Sequence, residues 1–147
     1  MLTIGRLGDA AGVKVPTIRY YEQIGLLPEP ERSAGNQRLY GPRSRQRLAF
    51  IRHARELGFP LEAIRDLLRL QDRPDQPCDA ADAIARRQLA AVEERLARLT
   101  ALRVELERMI AQCAHGAIAD CRVIETLGDH GLCAGDHGHP GERPDER

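Results

Sequence analysis

The sequence predicts a mainly α-helical chain. Its parts are a winged helix-turn-helix head with a small β-hairpin wing, a helical connector, one long coiled-coil helix and a C-terminal loop region. Three observations predict it. Aromatic residues make up only 3% of the chain and Trp is absent, so Leu, Ala and Ile must supply the core, which suits helices. Gly and Pro punctuate residues 1–60 at short intervals, then vanish from Asp79 to Cys113. Between these breaks the apolar residues recur at helical spacing.

Thr3 caps a first helix over residues 4–11, with Ile4, Leu7 and Ala11 on one face, and Gly12 ends it. Val13-Lys14-Val15 is the turn. Pro16 suits the first turn of a second helix, which stops near Gly25 because Pro28 and Pro30 forbid its continuation. Gly35-Asn36, between Arg32 and Arg38, marks a tight hairpin that ends on Arg38-Leu39-Tyr40. Pro42 opens a third helix over about 43–57, with Leu48, Ile51 and Leu57 apolar, and Gly58 stops it. Pro60 opens a fourth over about 61–70, with Leu61, Ile64, Leu67 and Leu68 inward.

The long element follows. Asp79 is a candidate N-cap, and positions 85, 89, 92, 96, 99, 103, 106, 110 and 113 step by four and three in turn. They read Ala, Leu, Val, Leu, Leu, Arg, Leu, Ile and Cys, a heptad seam in which Arg103 is the exception. Such a helix reaches roughly 50 Å at 1.5 Å per residue, more than a small domain can cover. The seam is narrow and flanked by charges such as Arg86, Arg87, Glu93, Glu94, Arg95 and Arg98, so a second copy of the chain is the expected cover. After Cys113 comes a small-residue loop. Asp120 is positioned to cap a last short helix through Cys121, Val123, Ile124 and Leu127. The expected division is a head with connector helices over 1–71, a linker over 72–78, a dimerisation helix over 79–113, a loop and short helix over 114–128, and a His-containing tail over 129–147.

Net charge is zero, but it is unevenly placed. Residues 1–55 carry ten Lys/Arg against four Asp/Glu, and residues 114–147 carry three against seven. A basic head is the electrostatic footprint of a nucleic-acid face. No secretory signal or membrane span is visible, so a cytoplasmic protein is expected. In that compartment the thiols of Cys78, Cys113, Cys121 and Cys133 read as ligands or redox sensors rather than as a disulfide frame.

The run Thr17-Ile18-Arg19-Tyr20-Tyr21-Glu22 with Gly25-Leu26-Leu27, and Arg32-Ser33 followed by Arg38-Leu39-Tyr40, resembles the MerR family of bacterial transcription regulators. The resemblance covers about residues 1–128. Gln37 departs from it, because many relatives carry an aromatic there. The resemblance implies a winged-helix head, a long antiparallel dimerisation helix and an effector site at the end of that helix. It also implies double-stranded promoter DNA, a second copy of the chain and RNA polymerase as partners. On the recognition helix, Thr17, Arg19 and Tyr20 are the expected DNA contacts. On the wing, Arg32, Arg38 and Tyr40 are expected to grip the backbone, with Arg55 as a further phosphate contact. Tyr21, beside an outward Tyr20, is expected in the core.

An antiparallel dimer would bring Cys78 of one chain beside Cys113 and Cys121 of the other, whereas within one chain the long helix separates them. Three thiolates favour soft or borderline cations. Within the family the gaps do not suit the iron–sulfur branch, and Cys78 stands where the copper(I) branch typically has Ser. The mercury branch typically has a longer loop, and the zinc branch often has a second Cys where Ala114 stands. The resemblance is therefore to the cadmium/lead branch, with zinc as the near competitor. His115 is a candidate fourth ligand, and His130, Cys133, His137 and His139 have spacings suited to a second, looser ion. His53, within a helix, reads as structural. The implied function is activation of metal-resistance or efflux genes through distortion of promoter DNA. The rival reading is a zinc-dependent hydrolase or a metal carrier. An enzyme needs an open metal position beside a general base, and no HExxH-like motif is present.

If His137 and His139 hold a second ion, deleting residues 129–147 is expected to lower the metal bound per protomer while leaving induction largely intact. Equal stoichiometry in the truncated and full chains, measured by metal titration, removes the tail site.

Overall fold

The computed structural model describes residues 1–113, 115–133 and 135. They divide into two compact units, one over Met1–Ile84 and one beginning at Ala85. Residues 137 and 139 of the candidate tail site lie outside the described residues.

The first unit opens with α1 (Ile4–Ala11), α2 (Val15–Gln23), β1 (Glu31–Arg32), β2 (Arg38–Leu39), α3 (Pro42–Glu56) and α4 (Leu61–Gln71). Each boundary has a local cause. The Thr3 hydroxyl accepts from the Arg6 amide at the start of α1. Gly12, at φ 66°, ends the helix in the left-handed region that Gly adopts without strain. Gly25 at φ 78° does the same after α2. The strands pair antiparallel, Glu31 opposite Leu39 and Arg32 opposite Arg38, around a turn in which Asn36 takes φ 64°. Tyr40 extends the wing by a bridge to Leu2, each donating its amide to the other's carbonyl at 2.8 Å.

The core of this unit is aliphatic. Leu7, Ile18, Leu26, Leu48, Ile51, Ile64 and Leu68 are fully buried, with Tyr40 the one large aromatic among them. The expected helical faces of α1, α3 and α4 supply Leu7, Leu48, Ile51, Ile64 and Leu68, and α2 with the segment after it supplies Ile18 and Leu26. Leu57 does not join them. It follows the end of α3 and is 56% exposed, because Gly58 turns the chain there.

Helix α5 (Asp79–Ala111) runs unbroken for 33 residues and carries the chain from the first unit into the second. Cys78, not Asp79, precedes its first turn, and the Cys78 carbonyl accepts the Asp82 amide at 2.9 Å. Asp79 and Asp82 instead place carboxylates in that first turn, where the positive end of the helix favours them. In the second unit a 3₁₀ turn, Ile118–Asp120, leads into α6 (Arg122–Gly128), and a further 3₁₀ turn covers His130–Leu132. Asp120 therefore ends a turn rather than capping α6, whose N-cap is Cys121 without a side-chain hydrogen bond. The segment around Leu132 is tied to α5 through Arg108, which donates to the Leu132 carbonyl and pairs with Glu105 at 3.0 Å. Glu105 and Met109 are buried there.

The expected seam of α5 is uncovered. Leu89, Leu96, Leu99, Leu106 and Ile110 are each more than half exposed, and Val92 is 39% exposed. Covering a half-exposed aliphatic side chain is worth about 1 kcal/mol, so a partner along this line gains several. A charge placed at Leu96 or Leu99 is expected to shift the species seen in sedimentation equilibrium from dimer toward monomer. An unchanged mass would show that the seam is not the pairing surface.

Candidate nucleic-acid interface and thiol positions

Helix α2 sorts its side chains by helical period. Ile18 and Tyr21, three apart, point into the core, and burial pushes the Tyr21 hydroxyl pKa up. Arg19 and Tyr20 are exposed and Thr17 is half-buried. Lys14, also exposed, precedes the first turn of α2 and was not among the residues singled out in the sequence.

The wing is arranged differently from expectation at one residue. Arg32 is exposed, with one guanidinium nitrogen on the Asn36 carbonyl at 3.0 Å, which fastens the hairpin turn. Arg38 and Tyr40, two apart on an extended segment, share a face. That face looks at α2 rather than at solvent. Tyr40 is 1% exposed and its hydroxyl donates to Glu22 Oε1. Tyr40 is therefore a core residue and not a backbone grip. The bridge to Leu2 closes the end of the wing over the head and turns the ring inward. Burial, then the Glu22 hydrogen bond and charge, hold its pKa well above the usual tyrosine value. Arg38 Nε lies 3.4 Å from Glu22 Oε2, an ion pair outside hydrogen-bond geometry.

Several arginines of the head donate to backbone carbonyls of other segments. Arg47 of α3 donates to the Leu26 carbonyl at 2.9 Å and pairs with Asp72 at 3.4 Å. Arg65 of α4 donates to the Ile24 carbonyl at 2.6 Å, and Arg52 to the Ala11 carbonyl at 2.7 Å. Gly12 permits the last of these, because a Cβ there would stand 2.0 Å from the Arg52 guanidinium. Arg55, expected as a phosphate contact, is half-buried and donates to the Phe59 carbonyl at 3.1 Å. These side chains close the open carbonyls that helix ends leave behind. Charge counting had assigned them to a surface. His53, expected to be structural, is exposed in the last turn of α3.

The four cysteines carry free thiols. Cys78 is exposed, and Cys113, Cys121 and Cys133 are half-buried. Cys113 follows α5 by two residues and Cys121 caps α6. His115 is exposed at φ 54°, and His130 is exposed in its 3₁₀ turn. Cys133 sits against Glu105, and burial together with that carboxylate pushes its thiol pKa up. Among the described residues no three His, Cys, Asp or Glu groups converge on one point within the chain.

A helix-turn-helix followed by a two-stranded wing, with Arg19 and Tyr20 presented outward, matches known regulators. Residues 2–71 match the model of the MerR HTH family regulatory protein, and residues 45–109 match that of MerR, DNA binding. The chain is 39% identical over 127 residues to the mercuric resistance operon regulatory protein of Serratia marcescens, covering 86% of this chain and 87% of that one. It is 40% identical over 131 residues to the HTH-type transcriptional regulator ZntR of Escherichia coli K12, covering 86% and 92%. Among solved structures it is similar to the transcription regulator PbrR691 of Ralstonia metallidurans CH34 in complex with lead(II). That match has 41% identity and a TM-score of 0.75, and covers 86% of this chain and 99% of that one.

The chain belongs to the MerR family.

It is a DNA-binding transcription regulator of that family and not an enzyme, which disposes of the hydrolase reading. Among the described residues no helix is long and apolar enough to cross a membrane.

The inward and outward arginines separate experimentally. Arg47→Ala removes a half-buried donor from the Leu26 carbonyl and from Asp72. It is expected to cost about 1–3 kcal/mol of stability, read by thermal or denaturant unfolding. Arg19→Ala is expected to change stability by no more than about 0.5 kcal/mol while losing specific binding to the chain's own upstream promoter. Unchanged promoter affinity for Arg19→Ala at fixed salt would remove Arg19 from the interface.

Proposed function

We propose that this MerR-family regulator is a cytoplasmic homodimer that activates metal-resistance or efflux genes when a soft or borderline divalent cation binds between its protomers. Cadmium or lead is the preferred ion and zinc the competitor. The observation that carries the reading is the pairing of an uncovered apolar seam on α5 with thiols at both of its ends. A copy of α5 laid antiparallel on that seam brings the Cys78 of one protomer to the Cys113 and Cys121 of the other. The donor set suits the ion, because three thiolates form a soft site and no three ligating groups converge within one chain among the described residues. His115 is a candidate fourth donor. Of the named relatives, one is a mercuric resistance operon regulatory protein and another was solved with lead(II), which supports a metal as the effector.

Promoter DNA is contacted, on this reading, by Thr17, Arg19 and Tyr20 of α2 and by Arg32 and Arg38 of the wing. Base contacts from α2 would specify the site, and phosphate contacts from the wing would fix register. Tyr40 and Arg55 serve through the fold. The route from ion to DNA is short. Cys78 lies six residues beyond Asp72, and Asp72 is held by Arg43 and Arg47 of α3. Arg47 also holds the Leu26 carbonyl, just past the end of α2. An ion that draws on Cys78 therefore acts on a segment tied to the recognition helix. It shifts the regulator only by binding one arrangement of the heads better than the other. Distorting promoter DNA costs on the order of 1–6 kcal/mol, a sum within reach of thiolate–metal bonding. The distortion would realign polymerase elements separated by an overlong spacer, so RNA polymerase is the partner that reads it.

A mixed dimer tests the shared site. Cys78→Ser and Cys113→Ser homodimers are each expected to lose the tight site and the cadmium or lead response. In the mixed dimer one end regains all three cysteines and the other keeps only Cys121. Metal titration should give one tight site per mixed dimer, with a thiolate-to-metal charge-transfer band. A mixed dimer that binds no better than either homodimer would rule out the intersubunit geometry.

A further inference from the structure

Glu22 is a carboxylate on a helix expected to lie against a polyanion, a place where a negative charge ordinarily opposes binding. Its surroundings give it a different use. The side chain is only 10% exposed, and both oxygens are engaged on the wing. Oε1 accepts from the Tyr40 hydroxyl, and Oε2 faces Arg38 Nε at 3.4 Å. Tyr40 is an immobile support, since its ring is buried and its backbone is bonded in both directions to Leu2. Arg19, one turn earlier on α2, is close enough to act electrostatically on the same tyrosine hydroxyl. One carboxylate thus lies against the half-buried Arg38 of the wing, with the exposed Arg19 one turn earlier on the recognition helix.

We propose that Glu22 is a positioning residue for DNA binding, which holds the Arg38 guanidinium by its Nε side and presents the opposite edge to a backbone phosphate. The proposal rests on the reading of Arg38 as a phosphate contact. The guanidinium is a rigid fork, so a carboxylate 3.4 Å from Nε biases the direction of the two Nη atoms through the ion pair. Among the described residues those atoms have no hydrogen-bond partner, and the Arg38 side chain is 33% exposed. An arginine side chain otherwise loses much rotamer freedom when it settles on a phosphate, and prior orientation removes part of that cost. The same carboxylate spans the recognition helix and the wing, so the two elements meet the duplex in one register. Because the charge of Glu22 is buried and already paired, its repulsion of phosphate is weaker than its hold on Arg38.

The test is a double-mutant cycle on the full-chain dimer. Affinity is measured by fluorescence anisotropy across a salt series, with a duplex from the region upstream of the chain's own gene and an unrelated duplex of equal length. Arg38→Ala should weaken binding to both and reduce the steepness of the salt dependence by about one ion. Glu22→Gln should weaken both by roughly three- to tenfold, the scale of one partly screened contact, with a shallower salt slope. In the Arg38→Ala background the same change should have no further effect. Tyr40→Phe keeps the ring and removes only the donor to Glu22. It should act in the same direction, be equally silent without Arg38, and carry the test if Glu22→Gln fails to fold. Tighter or unchanged binding by Glu22→Gln, or an equal loss with and without Arg38, would overturn the proposal. An Arg38→Ala protein with unaltered affinity and slope would instead remove the phosphate role of Arg38 itself, and the proposal with it.

Discussion

The head of this regulator depends on arginine donors that close the carbonyl ends of its first two helices. With aromatics at 3% of the chain, the core is a small set of Leu and Ile side chains, which give burial but no directional contacts. Direction comes from Arg52 on Ala11, Arg65 on Ile24 and Arg47 on Leu26. Each joins residues distant in sequence, and two of the three bear on the chain just after the recognition helix. A buried carbonyl left without a donor costs about 1–3 kcal/mol, so these contacts add direction to the apolar packing that seats α2. Arg47 adds a second function, because Asp72 at the end of α4 shares its guanidinium. The recognition helix and the start of the linker are thereby held by one side chain.

Much of this was legible in the sequence, for reasons that differ by element. Pro16, Gly12, Gly25 and the Gly/Pro-free run after Asp79 act through backbone sterics, which are local, so α1 to α5 fall within a few residues of expectation. The heptad seam was legible because exposure follows period, and the same leucines stand uncovered on α5. Tyr40 was misplaced because alternation says which residues share a face but not which way the face turns. That orientation comes from the bridge to Leu2, a pairing across most of the head. Asp120 was misread as a cap because a 3₁₀ turn intervenes. Glu22, Arg47 and Arg65 were missed altogether. Their partners lie 16 to 41 residues away, and nothing in local spacing marks a charged residue as one that points inward.

The cysteine set shows the opposite limit. Its members are plain in the sequence, and the described structure places each at a definite point, by the start of α5, just past its end, or at the cap of α6. What makes them a set is a second copy of the chain, and that is carried by the apolar seam rather than by the thiols. Metal response and dimerisation are on this reading one property. An ion that takes thiolates from two protomers cannot bind tightly to a monomer, and a dimer with a broken seam loses its effector site along with its fold partner.

The same accounting changes what the basic head means. Of its arginines, Arg47, Arg52 and Arg55 serve the fold, and Arg38 is shared with Glu22. The cations left to meet phosphate are fewer than the ten Lys/Arg of residues 1–55. Because each phosphate neutralised adds close to one unit of salt dependence, a small set gives modest nonspecific affinity. Discrimination then rests on how that set is oriented and spaced across the duplex. This favours a regulator controlled by geometry. When few contacts carry the binding, and Arg32 and Arg38 of the wing are held by partners within the protein, a small displacement of α2 against the wing alters the register of the whole set. The dimer need not leave the DNA for that displacement to be felt there.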